Sequence, residues 1–94
     1  MAALKIVAVA WFTRDEYDRV RAISDDEMIP SFDDWEAKMT RILGDLASEG
    51  VRGEKVLVTA AALGAFARGK GKIDSNTRAA FVAARLAQKR DRKQ

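Results

Sequence analysis

Apolar residues open the chain in an unbroken run, Ile6-Val7-Ala8-Val9-Ala10-Trp11. A run this short and rich in branched residues predicts a strand over Lys5–Phe12, buried on both faces. The pattern then becomes helical. Thr13 and Glu16 form a T-x-x-E capping box, with Phe12 and Tyr17 at the two hydrophobic-staple positions. Tyr17, Val20 and Ile23 recur on one helical face, and Ser24-Asp25-Asp26-Glu27 and Pro30 end the helix. A second helix begins near Ser31–Asp33 and carries the stripe Phe32, Trp35, Met39, Ile42, Leu43 and Leu46, the spacing of a core-facing helix. Gly50 is its expected left-handed terminator, with Val51 folding back on Leu46. Gly44 lies inside this helix at a cost of about 1 kcal/mol relative to alanine, which predicts close packing of another element there.

A second strand is expected at Lys55–Val58. Thr59 then caps a helix over Ala60–Arg68 or lies in a continuing strand, and Ala60-Ala61-Ala62-Leu63 favours the helix. Gly69-Lys70-Gly71 reads as a loop, and Asp74 or Ser75 caps a last helix running to about Lys89. The expected fold is therefore one α+β domain over residues 1–90, in the order β-α-α-β-α-α, with residues 91–94 a frayed basic tail. Two helices between the strands suggest that the strands pair antiparallel. Two strands leave apolar edges, and a homodimer joining two sheets across a two-fold axis would cover one of them.

Composition narrows the chemistry. The 94 residues contain no cysteine and no histidine, which removes thiolate nucleophiles, disulfides and the commonest acid–base and metal-binding side chain. The early apolar run is followed by two aromatics and Arg14-Asp15-Glu16, unlike a signal peptide. No stretch approaches the roughly 20 apolar residues of a membrane span. A cytoplasmic protein is the expectation.

Charge is divided between the halves. Residues 1–50 hold 6 Lys/Arg against 11 Asp/Glu, a net of −5; residues 51–94 hold 11 against 3, a net of +8. Helix capping and a solvated loop account for Asp25, Asp26, Glu27, Asp33, Asp34 and Glu36, which lack the spacing of a calcium loop. In the basic half, Arg78, Arg85, Lys89 and Arg92 fall on one arc of the last helix, with Arg90 beside them. Arg68, Lys70 and Lys72 add charge in the preceding loop. These residues are the candidate surface for nucleic acid or an acidic partner. Ala79, Ala83, Leu86 and Ala87 lie on another side of the helix, suited to packing.

Gly64-Ala65-Phe66-Ala67-Arg68-Gly69-Lys70-Gly71 reads G-x-x-x-x-G-K-G, one position short of a P-loop. Gly71 stands where the Mg²⁺-binding hydroxyl is needed, and the first part reads as helix, so a flexible turn is the better reading. No pair of carboxylates, Ser or Lys has catalytic spacing. No cofactor or metal is expected.

The chain resembles a group of small, uncharacterised proteobacterial proteins. The likeness is carried by the strand ending in Trp11-Phe12, by Ile29-Pro30-Ser31-Phe32 before a Trp-bearing helix, and by Gly50-Val51 followed by Val56-Leu57-Val58. Asp74-Ser75-Asn76-Thr77-Arg78-Ala79-Ala80-Phe81 is also similar. Members often carry an acidic residue, then Phe and Trp-Cys, in the third helix; here Thr59, Leu63, Phe66 and Ala67 take those places. The resemblance implies a fold and no mechanism. The expected function is non-enzymatic binding to an unidentified protein partner or a second copy, with nucleic-acid binding as the alternative.

Overall fold

The computed structural model describes residues 5–91. Strand β1 (Lys5–Trp11) leads into α1 (Arg14–Ile23) and α2 (Phe32–Ser48). Strand β2 (Val51–Leu57) then precedes α3 (Ala60–Ala67) and α4 (Ser75–Asp91). The architecture is α+β, with one two-stranded sheet.

The strands pair parallel, with Lys5 opposite Val51 and Trp11 opposite Leu57. This corrects the antiparallel expectation, which counted two helices as two reversals. Only α2 is a return. Its 17 residues span about 25 Å, close to the roughly 23 Å of a seven-residue strand, so it carries the chain back to the end where β1 began. The shorter α1 packs on α3 and α2 at the other end of the sheet. The pairing also extends β2 back to Val51, ahead of the expected start at Lys55.

Local chemistry explains the helix boundaries. The Thr13 hydroxyl accepts from the Glu16 N–H at 3.2 Å, and Phe12 meets Tyr17 edge-on at 5.4 Å between ring centres. Ser31 and Thr59 cap α2 and α3 through the N–H groups of Asp34 and Ala62. Asp74 caps α4 by accepting from the Thr77 N–H at 3.1 Å, and that bond holds its carboxyl below the usual aspartate range. Gly50 has φ 78°, and its N–H donates to the Ala47 carbonyl, closing α2.

The core is built around Phe12, Tyr17, Val20, Trp35, Leu63 and Phe81. Trp11, Phe12, Tyr17 and Phe32 all make ring contacts with Trp35 or one another at 4.9–5.8 Å. The early aromatics therefore pack as a cluster where α1, α2 and the end of β1 meet. Tyr17 is fully buried, and its hydroxyl donates to the Ile29 carbonyl at 2.7 Å. Burial raises its pKa.

Two expectations about small residues are overturned. Gly44 faces open space, with nothing within 4 Å of where its Cβ would stand. The close approach is instead at Gly53 in β2, where a Cβ would collide with Leu43 and lie 3.1 Å from Val9. On α4, Leu86 is buried as expected, but Ala79, Ala83 and Ala87 of the same expected side are exposed, while Phe81 and Val82 are buried. The alanine side is not the packing side because larger apolar side chains on a neighbouring arc bury more surface. No described helix is long and apolar enough to cross a membrane.

Candidate binding surfaces

The basic arc of α4 lies along the flank of its buried face, not on a free ridge. Arg78 has a side chain only 12% exposed. Its guanidinium grips both oxygens of Asp26 at 2.9 and 2.7 Å and also donates to Ser24. This hydrogen bonding holds the Asp26 carboxyl below its usual range. Lys89 reaches Glu54 in β2 at 3.2 Å. Arg85 is exposed, with its guanidinium 5.0 Å from the centre of the Phe81 ring.

In the loop, the Lys70 ammonium lies 4.8 Å from the centre of Phe66, and Phe66 contacts Phe81 at 5.4 Å. Lys70 and Arg85 are therefore joined through one pair of rings. Arg68 and Lys72 are exposed. Arg90 falls in the last turn of α4, and Arg92 lies outside the described residues. The sequence-predicted cations thus divide among the described side chains: Arg78 and Lys89 are paired with carboxylates, and Lys70 and Arg85 rest on aromatic rings. Gly69 and Gly71 have φ 80° and 90° and Gly64 lies within α3, as expected of a turn in place of a P-loop.

Of the acidic residues in the first half, Glu16, Asp25, Asp26 and Asp33 are held in hydrogen bonds. Asp25 and Ile73 exchange two hydrogen bonds of 2.7 Å, one from each N–H. Glu16 departs from its expected role. Instead of reaching back to Thr13, its carboxylate accepts from the Ala60 N–H at 2.8 Å and from Arg19 at 2.7 Å. It therefore caps the first turn of α3 from α1, and the bond from Ala60 is the main cause of its lowered pKa. Among the described residues no group of three or more carboxylates is placed to hold a metal ion.

The two-strand pattern predicts exposed sheet edges, but not the grooves that helix packing builds along them. Among the described residues each strand has a single sheet neighbour, so each keeps an outer row of backbone N–H and C=O groups. Along β1, three consecutive residues, Ala8 to Ala10, line a groove of about 510 Å³. Its walls are Met39 and Ile42 of α2 and Ala79 and Val82 of α4. Along β2, Glu54 to Leu57 line a second groove of about 500 Å³, walled by Arg85, Leu86 and Lys89 of α4.

Both grooves arise because the helices cross the narrow sheet obliquely. Helix α2 sets Trp35 against Trp11 at one end and Leu43 against Gly53 at the other. Helix α4 passes from Ala79 and Val82 beside β1 to Lys89 beside β2. Each helix is about 10 Å wide over strands about 4.8 Å apart, so it overhangs one edge and leaves part of the other bare. No family model, curated protein or solved structure matches the chain.

Proposed function

We propose that this is a cytosolic, non-catalytic protein-interaction domain that self-associates by pairing β1 with β1 of a second copy. The carrying observation is the outer edge of β1, which has no sheet neighbour among the described residues. There Ala8, Val9 and Ala10 lie at the floor of an apolar groove between two helices. A strand laid there satisfies the unpaired backbone and buries the groove walls.

Symmetry favours a second copy running antiparallel. The helices overhang the C-terminal half of β1, where the groove lies. An antiparallel partner sets its own overhang against the barer N-terminal half. Centred on Ala8, that register also brings the exposed Lys5 of each copy toward the end of the groove lined by Glu27, so opposite charges meet. The result is a four-stranded sheet with β2 at both outer edges.

Sedimentation equilibrium tests this reading. The protein is expected to dimerise at tens of micromolar, and Ala79→Arg, an exposed helical position on the groove wall, is expected to give a folded monomer. A wild-type monomer at several hundred micromolar, or a dimer unaffected by A79R, overturns it.

A further inference from the structure

We propose that the outer edge of β2 captures an extended acidic peptide by strand addition, at a site separate from the β1 groove. Its floor is the strand segment Glu54 to Leu57. Leu57 is 66% exposed, and Ile23 is the other exposed large hydrophobic residue among those described. An exposed leucine beside an unpaired strand edge is the arrangement that strand addition covers.

The alternation of β2 defines what the peptide must carry. Glu54 and Val56 face α4, as the Glu54–Lys89 pair shows. Lys55 and Leu57 face the other side, where the Lys55 ammonium rests 4.1 Å from the centre of Trp11. A strand added beside β2 projects its side chains alternately to the same two faces. On the α4 face they meet Arg85 and Lys89; on the opposite face they meet Leu57 and Lys55. Among the described side chains Glu54 is the one acid lining the groove, and it is bound to Lys89. The charge around the edge is therefore cationic, and the complementary ligand alternates acidic residues toward α4 with apolar residues toward Leu57.

Nucleic acid fits this edge less well. Among the described side chains Arg85 and Lys55 are too few cations to track a phosphate backbone, and the apolar side chains of Val56, Leu57 and Leu86 line the same groove. The outward-turned peptide groups of Lys55 and Leu57 also match another peptide backbone, not a phosphodiester.

The probe is the capped peptide EVEVEVE, titrated into isotope-labelled protein and followed by NMR. The expected result is saturable shifts at the amides of residues 54–57 and 85–89, with affinity reduced about tenfold or more by Arg85→Glu. Because Arg85 is exposed, that variant keeps its fold. The charge-reversed peptide KVKVKVK is expected not to bind, and EVEPEVE, which lacks a central N–H, to bind more weakly than EVEVEVE. Binding of EVEVEVE is expected to persist in the A79R variant, which separates this site from the β1 pairing. Absence of EVEVEVE binding at millimolar concentration, equal binding of the two charge patterns, or shifts confined to β1 overturns the proposal. So does tighter binding of an oligothymidylate to the same amides.

Discussion

Arg78 shows how one residue changes meaning between a helical projection and a packed molecule. On the projection it belongs to a cationic arc; in the fold it ties α4 to the segment after α1 through Asp26 and Ser24. Replacing Arg78 with alanine is expected to cost about 2 kcal/mol in urea denaturation, the scale of a charged hydrogen-bonded contact. Arg78→Lys is expected to recover only part of this, because an ammonium cannot repeat the two-pronged grip. The pH dependence follows from the direction of the Asp26 shift. Its folded-state pKa lies below the usual 3.8, so its stabilisation is complete above that value and disappears as the pH falls through the folded-state value. Asp26→Asn is therefore expected to be less stable than wild type at neutral pH and to show a smaller loss of stability on acidification; an unchanged acid limb in that variant contradicts the assignment. Glu16 acts similarly across a longer distance in sequence. Glu16→Ala is expected to speed hydrogen exchange at the first amides of α3, where Ala60 donates to its carboxylate, more than at α1.

At the scale of elements, the two glycines Gly44 and Gly53 make opposite predictions. Gly44→Ala adds a methyl in open space within a helix and is expected to stabilise by about 0.5–1 kcal/mol. Gly53→Ala drives a methyl into Leu43 and is expected to destabilise by about 1–2 kcal/mol. Adding Leu43→Ala should relieve part of that clash, giving a non-additive double-mutant cycle. Thermal or urea denaturation of the four variants checks both signs. Such positions also mark what was legible in the sequence. The caps at Thr13, Ser31 and Thr59 and the stripe on α2 depend on neighbours a few residues away, so spacing alone reveals them. The parallel pairing, the close contact at Gly53 and the capping of α3 by Glu16 depend on residues distant in sequence, and no local period encodes them. The same limit placed Ala79, Ala83 and Ala87 beside Leu86 on the α4 packing face, since a projection ranks positions by angle and cannot weigh the larger burial of Phe81 and Val82.

For the whole molecule, the division of charge is partly neutralised by the fold. Arg78 of the basic half pairs with Asp26 of the acidic half, and Lys89 is bound by Glu54. Arg85 and Lys70 sit against Phe81 and Phe66, and Arg68 and Lys72 are exposed in the loop before α4. Duplex binding without base contacts depends on several phosphates being neutralised together, which gives non-specific dissociation constants of about 10⁻⁴–10⁻⁶ M and a steep fall with salt. Cations divided among the loop, the ring stacks and internal pairs meet few phosphates at once. A 20-base-pair duplex is therefore expected to bind more weakly than about 10⁻⁴ M even at low salt, measured by fluorescence anisotropy. Micromolar binding that weakens steeply with salt and is removed by neutralising Arg68, Lys70 and Lys72 together would restore nucleic acid as the partner and place its site on that loop. Beside β2, Lys55 and Arg85 border exposed Leu57. A short acidic strand can meet that local charge, whereas a long polyanion requires a continuous run of cations, and among the described side chains of α4 Arg78 and Lys89 are held by carboxylates.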